Sequence, residues 1–181
     1  RVGFDGIAQA MSGNMHLSGW EGKPIKSWVP YSDFGTALTT AVAIMAALMH
    51  RERTGEGQYV EGTLFATALT YNNASIIEEA VLKPGRVGTG NRGQTSAPAD
   101  VFKCRDGAIL VRVVGQPLFR RWAKLMGEEH WLTDSRFATD IDRGNHNEII
   151  SERMQAWCND KSCAEATRIL EEARIPTGQI Y

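Results

Sequence analysis

Cysteine is scarce in this chain, and the few present form no pattern. Cys104, Cys158 and Cys163 are three among 181 residues, an odd number without the spacing of a structural zinc site. That excludes a disulfide scaffold and fits reduced thiols in a cytosolic protein. Histidine is equally sparse. His16, His50, His130 and His146 show no H-E-x-x-H or other ligand spacing, so no metal site is expected. No Gly-x-Ser-x-Gly string occurs, which removes the serine-hydrolase elbow. No charge of one sign dominates: 20 basic against 21 acidic residues leave a net charge of -1. So balanced a chain has no electrostatic footprint for nucleic acid or an anionic membrane. The longest apolar run, residues 37–49, is broken by Thr39 and Thr40. It falls short of the roughly 20 residues that cross a bilayer. No secretory signal is visible. The chain starts Arg-Val-Gly-Phe-Asp and ends just after Pro-Thr-Gly, so both ends read as internal to a longer protein.

What is present is the composition of a globular protein, 43% hydrophobic and 23% charged, at a length suited to one domain or two small ones. Residues 4–13 read as a short helix closed by Gly13. A loop rich in Gly, Pro and Ser follows over 14–32. A helix is expected over about 34–53, ended by Gly55 and Gly57, and it is apolar nearly all round, as a buried core helix is. Residues 59–65 fit a short strand or turn, and helix resumes over 66–82. Residues 83–98 hold four glycines and two prolines with no apolar period, the mark of a functional or linking loop. Beyond it, DVFKC and AILVRVV read as a hairpin turning at Asp106-Gly107. Three helices follow: 117–126, 143–158 with Ile149, Ile150, Met154 and Trp157 inward, and one opened by a Ser162/Glu165 capping box. The division is therefore 1–82, a linker at 83–99, and a small α/β unit at 100–181.

The segment WVPYSDFGTALTTAVAIMAALMHRER carries the chemistry. Asp33 sits between a Pro-Tyr-Ser turn and the apolar helix. A carboxylate there faces orphan N–H groups and the positive end of the helix dipole, which favour its ionised form. An ionised carboxylate on a rigid support is a usable nucleophile. The segment alone also fits a plain N-cap. GTGNRG at 88–93 matches G-x-G-x-x-G, but Pro84 lies before it and Pro98 after it, where a dinucleotide site needs a strand and a helix. A glycine loop that closes over a ligand fits better, since its backbone can approach closely and bind anions. His16, in the loop leading to Asp33, is within chain reach of the same site.

Taken together, GFDGIAQAMSG, the string P-x-x-D-x-x-T, AALMHRERTGEGQ, TGNRG, FKCRDGAILV, DSRFAT, Arg143 with Asn147, and IPTGQI resemble the class III CoA-transferases, the CaiB/BaiF family. The resemblance runs from Phe4 to Ile180. It implies an α/β fold: part of a Rossmann-like CoA-binding large domain plus a small α+β domain, in an interlocked homodimer. It implies that Asp33 is the nucleophile, attacking an acyl-CoA thioester to give a mixed anhydride and then an aspartyl-CoA thioester. The site implied for acyl-CoA comprises Gly90, Asn91, Arg92, Gly93 and Gln94, with Phe4, Asp5 and His16. CoA enters as substrate; no permanent cofactor, metal or nicotinamide is implied.

The family also contains α-methylacyl-CoA racemases, which pair the aspartate with a histidine at the position of Phe4. Proton removal on one face and return on the other needs two acid–base groups. Phe4 supplies none, which favours transferase chemistry unless His16 substitutes. A non-catalytic dimerisation unit is the remaining alternative. Whatever its chemistry, the apolar helix needs a cover, from other parts of its own chain, from a second chain, or from both.

Overall fold

Gly13, with φ at 82°, breaks the first helical stretch in two. Asp5–Met11 (α1) and Asn14–Leu17 (α2) stand on either side of it in the computed structural model, which describes residues 3–181. Gly19–Trp20 (β1) and Lys23–Pro24 (β2) then form a small hairpin in the stretch expected to be loop. The long helix spans Tyr31–Thr54 (α3), three residues earlier than its apolar pattern starts. Gly55, at φ 78°, ends it and returns its N–H to the Arg51 carbonyl, as an αL stop does. Residues 56–63 form no regular element, and Thr63 caps Leu64–Tyr71 (α4) by accepting the Ala66 N–H. Asn73–Leu82 (α5) completes this unit, which reaches Gly90.

The expectation of a buried core helix fails for α3 within this chain. Ser32 and Gly35 are buried, but Leu38, Val42, Met45 and Met49 are exposed. The reason is geometric: α3 has 24 residues, whereas α1 and α4, which pack on its first turns, have 7 and 8. The helix also exceeds its apolar run, so by length and composition it is long enough to cross a membrane. Its opening turns are those of a packed globular helix. Thr36 Oγ1 donates to the Ser32 carbonyl and lies 2.8 Å from Thr67 Oγ1 on α4. The only sheet among the described residues of this unit is the two-stranded antiparallel hairpin, so the Rossmann-like sheet implied by the resemblance is not within it.

The second unit, Asn91–Tyr181, is built on a three-stranded antiparallel sheet. Ala99–Cys104 (β3) and Gly107–Arg112 (β4) form the expected hairpin, with Cys104 opposite Gly107. Gln116–Met126 (α6), two 3₁₀ turns, Asp140–Asn145 (α7), Asn147–Cys158 (α8) and Cys163–Glu172 (α9) follow. Thr177–Gln179 (β5) then pairs with β4, a strand hidden in sequence by Pro176 and Gly178. The single helix expected over 143–158 is two, parted at His146. Ile150 and Met154 point inward as expected, but Ile149 is exposed, on the far side of a helix that starts at Asn147. The capping box with both bonds is Thr139 with Asp142; Ser162 accepts the Glu165 N–H. Phe102, Ile109 and Val111 from the sheet meet Phe119 and Trp122 from α6 and Leu170 from α9 in one closed core. A Trp of this kind contributes several kcal/mol, since Trp→Ala in a core costs about 3–5 kcal/mol.

Candidate active site

Helix α3 begins without a side-chain cap of its own. Pro30 holds the cap position and Asp33 is the third helical residue. The Asp33 side chain is exposed and makes no hydrogen bond among the described residues. A carboxylate so placed is not the N-cap; it stands exposed within the first turn.

The orphan N–H groups of that turn go to Asp5 instead. One Asp5 oxygen accepts from Ser32 N at 2.7 Å and from Asp33 N at 3.3 Å; the other accepts from Gln9 Nε2. Gln9 Oε1 in turn accepts from Ser27 N at 2.9 Å. Asp5 and Gln9 lie one turn apart on α1 and are 5% and 1% exposed. This face of α1 therefore holds both ends of the 27–33 turn that delivers Asp33. Asn14 adds a third anchor, donating to the Tyr31 hydroxyl at 2.8 Å and to the Ala68 carbonyl. Burial pushes the Tyr31 phenol above its ordinary 10.0; the Asn14 bond opposes this and the Asp5 charge adds to it. Gly35 lies against the Tyr71 ring, where a Cβ would come within 2.7 Å of ring carbons, so a larger residue there would displace that ring.

The other residues implied by the resemblance are distributed. Asp5 is not open to a ligand: it is buried and engaged with backbone. Phe4 is exposed and lines an apolar cavity of about 600 Å³ with Ile7, Met11, Leu64 and Phe65. His16 Nε2 faces the Arg86 carbonyl at 3.0 Å and lines a second cavity of about 630 Å³ with Asn72 and Ile76. Asp33 lines neither cavity. Gly90 belongs to the first unit, against the Trp20 indole. Asn91, Arg92, Gly93 and Gln94 belong to the second, where Arg92 pairs with Glu148 and Gly93 meets Asn147. Among the described residues, no group of three or more His, Cys, Asp or Glu side chains could hold a metal ion.

Gln9, Asn14 and Tyr31 were not singled out from sequence. The available signal was slight: Asp5 and Gln9 are polar, spaced i, i+4, on a short helix whose other buried residue is Ala8.

Fold and site define a class: a two-unit protein of helices and antiparallel strands that, among the described residues, presents an exposed carboxylate at a helix start capped from elsewhere. The chain belongs to CoA-transferase family III, whose model matches residues 1–181. It is 32% identical over 188 residues to the succinate–glutarate CoA-transferase of Agrobacterium fabrum, covering 99% of this chain and 45% of that protein. It is 28% identical over 183 residues to the succinyl-CoA–D-citramalate CoA-transferase of Chloroflexus aurantiacus, covering 100% of this chain and 46% of that protein. The chain thus spans about half the length of the curated relatives it matches. Among solved structures, a CaiB/BaiF family protein from Brucella suis superposes with a TM-score of 0.73 at 26% identity, over 100% of this chain and 48% of that one. A hypothetical protein from Mycobacterium tuberculosis, at 22% identity and a TM-score of 0.78 over 100% and 48% of the two chains, shares the fold.

Proposed function

We propose that the full-length protein transfers CoA between an acyl-CoA thioester and a carboxylic acid, with Asp33 as the covalent nucleophile. The observation that carries this reading is the division of labour at the α3 start. Asp5 satisfies the backbone, and the Asp33 carboxylate is left exposed and, among the described residues, unpartnered in a fixed turn. The names of the relatives, which pair succinyl-CoA or succinate with other acids, support acids as acceptors.

The Asp33 carboxylate attacks the thioester carbonyl and expels CoA thiolate, giving a mixed anhydride. The thiolate attacks the aspartyl carbonyl and releases the donor acid, leaving an aspartyl-CoA thioester. The acceptor carboxylate attacks that thioester, again expelling thiolate, and a second mixed anhydride forms. The thiolate takes the acceptor's acyl carbon, and Asp33 leaves as the free carboxylate. Each step exchanges one acyl bond for another, which is how covalent catalysis divides a difficult transfer. The anhydrides hydrolyse unless water is excluded, which gives the glycine loop near Gly90 a purpose as a cover. An interlocked homodimer belongs to the same reading, since it would cover the exposed face of α3.

No observation favours the racemase alternative. Phe4 offers no proton-transfer group, and the His16 ring is occupied with a carbonyl. The test is Asp33→Asn in the full-length protein, together with mass analysis of the Asp33 peptide after mixing with acyl-CoA. Turnover is expected to fall by roughly 10⁴-fold or more, as when a nucleophile is removed. The wild-type peptide should carry an added acyl or CoA group. Near-normal turnover in the variant would reject the assignment.

A further inference from the structure

The glycine-rich loop, read from sequence as one flexible lid, is held separately at its two ends. Its first part belongs to the β1–β2 hairpin. Thr89 pairs with Trp20, the Gly90 N–H donates to the Gly19 carbonyl, and a Cβ on Gly88 would come within 2.9 Å of Gly19 backbone. Its last part is held inside the second unit by α7 and α8. Asn147 Nδ2 donates to the Gly93 carbonyl at 2.9 Å and lies 3.3 Å from the Ser96 carbonyl. The Asn147 oxygen accepts from the Ser151 hydroxyl, so both ends of the amide are engaged at 3% exposure. Gly93 N donates to the Ala99 carbonyl at 2.6 Å. Gly144 lies against the Gln94 carbonyl with no room for a Cβ.

The helices that carry this clamp are themselves fixed. Arg143, one turn before Asn147 and 1% exposed, donates to Gln116 Oε1 at 2.8 Å, to the Phe137 carbonyl at 2.7 Å, and to Asp140. Its guanidinium lies over the Phe119 ring at 4.5 Å. A buried amide with two carbonyls on its donor side is an expensive arrangement to leave half-made, since each unsatisfied buried group loses a full hydrogen bond.

We propose that Asn147 is a positioning residue for the glycine loop. It fixes residues 93–96 within the second unit, so that movement accompanying acyl-CoA binding is carried by residues 88–92 together with the β1–β2 hairpin that holds Thr89 and Gly90. Its effect on catalysis rests on the transferase reading above; its effect on loop order rests on the geometry alone. The experiment is amide hydrogen exchange on the full-length protein, with and without acyl-CoA, for the wild type, Asn147→Asp and Gly144→Ala. Asn147→Asp keeps the shape but turns an acceptor toward two carbonyls. Gly144→Ala displaces the loop while leaving the clamp's donors in place.

Amides of residues 93–96 should exchange about tenfold faster in Asn147→Asp, the equivalent of one lost buried hydrogen bond, while β3, β4 and α8 keep their protection. Acyl-CoA should protect residues 88–92 in the wild type and leave 93–96 unchanged. The kcat should fall with little change in KM for acyl-CoA, while the Asp33 peptide still becomes labelled. Labelling without faster exchange sinks the clamp and spares the nucleophile. Faster exchange without labelling does the reverse. If Asn147→Asp does not fold, Gly144→Ala decides: unchanged exchange at 93–96 in that variant overturns the proposal.

Discussion

The Asp33 N–H donates to Asp5 Oδ1 at 3.3 Å, while the Asp33 carboxylate itself stays exposed. Two acids 28 residues apart thus share one helix start and divide its tasks. The buried one satisfies backbone donors, and the exposed one keeps its lone pairs for chemistry. A single acid could not do both, because a capping oxygen is already an acceptor and held against the helix.

Replacing Asp5 should therefore affect stability more than replacing Asp33. Asp5→Ala leaves the Ser32 and Asp33 N–H groups and the Gln9 amide without their partner in a buried site, at a cost of about 1–3 kcal/mol. Asp5→Asn, which keeps an acceptor, should be milder. Asp33→Asn should change stability by no more than about 0.5–1 kcal/mol, the size of a helix-dipole or surface effect. Denaturant unfolding of the three variants measures the order, and a larger loss in Asp33→Asn would reverse the roles.

The helices, the β3–β4 hairpin and the helix-start acid were legible because their signals are local. Asp106-Gly107 fixes a turn, Gly55 stops a helix, and apolar spacing marks faces. The role of Asp5 was not legible. Its partners Ser32 and Asp33 are remote in sequence, and nothing local distinguishes a carboxylate that caps another helix from one that binds a ligand. β5 was hidden for a similar reason, since a three-residue strand exists only through its pairing with β4. The exposure of α3 is a third case: apolar composition shows that a face needs covering but not what covers it.

Acid should weaken the second unit in a defined window. Asp134 is held down to about 2 by the Arg136 side chain and its backbone N–H. Asp106 is lowered chiefly by the Cys163 N–H, and Asp142 chiefly by the Thr139 hydroxyl. Folded values below the unfolded ones mean stability that is present above the ordinary carboxylate value and lost as pH falls through the folded one. Thermal melts should be insensitive to these groups from pH 7 to about 5 and lose stability from about pH 4 to 2. Asp134→Asn should flatten the lower end. A melting temperature that rises on acidification through this window contradicts the assignment.

Two of the three thiols should be inert in the native protein. Cys158 is fully buried, and burial, with the neighbouring Cys104, pushes its thiol up to about 12. Cys163 is raised to about 11 by burial and by its contact with Asp106. Only the thiolate alkylates, and at pH 8 both thiols hold their protons. Iodoacetamide followed by peptide mass analysis should label Cys158 and Cys163 only after unfolding. Labelling of either at the rate of a free cysteine would show that the core around α8 and α9 opens far more readily than its packing indicates.

The exposed face of α3 should drive association. Leu38, Val42, Met45 and Met49 are spaced by four, three and four residues, the spacing of a helix seam, and are 71%, 68%, 64% and 55% exposed. Covering each recovers about 1.5–3 kcal/mol, so the stripe as a whole is too costly to leave in water. In the 181-residue chain, sedimentation in the absence of detergent should show an associated species rather than a monomer. Val42→Glu with Met45→Glu, two charges in the middle of the seam, should shift it toward monomer while the melting of the second unit is unchanged. In the full-length protein the same methionine should resist peroxide oxidation, because the seam is then covered. The helix is also long enough to cross a bilayer, and that alternative separates cleanly: a membrane span would need detergent to stay in solution and would gain nothing from the two glutamates. A detergent-free monomer with Met45 readily oxidised in the full-length protein would show that this face has no partner.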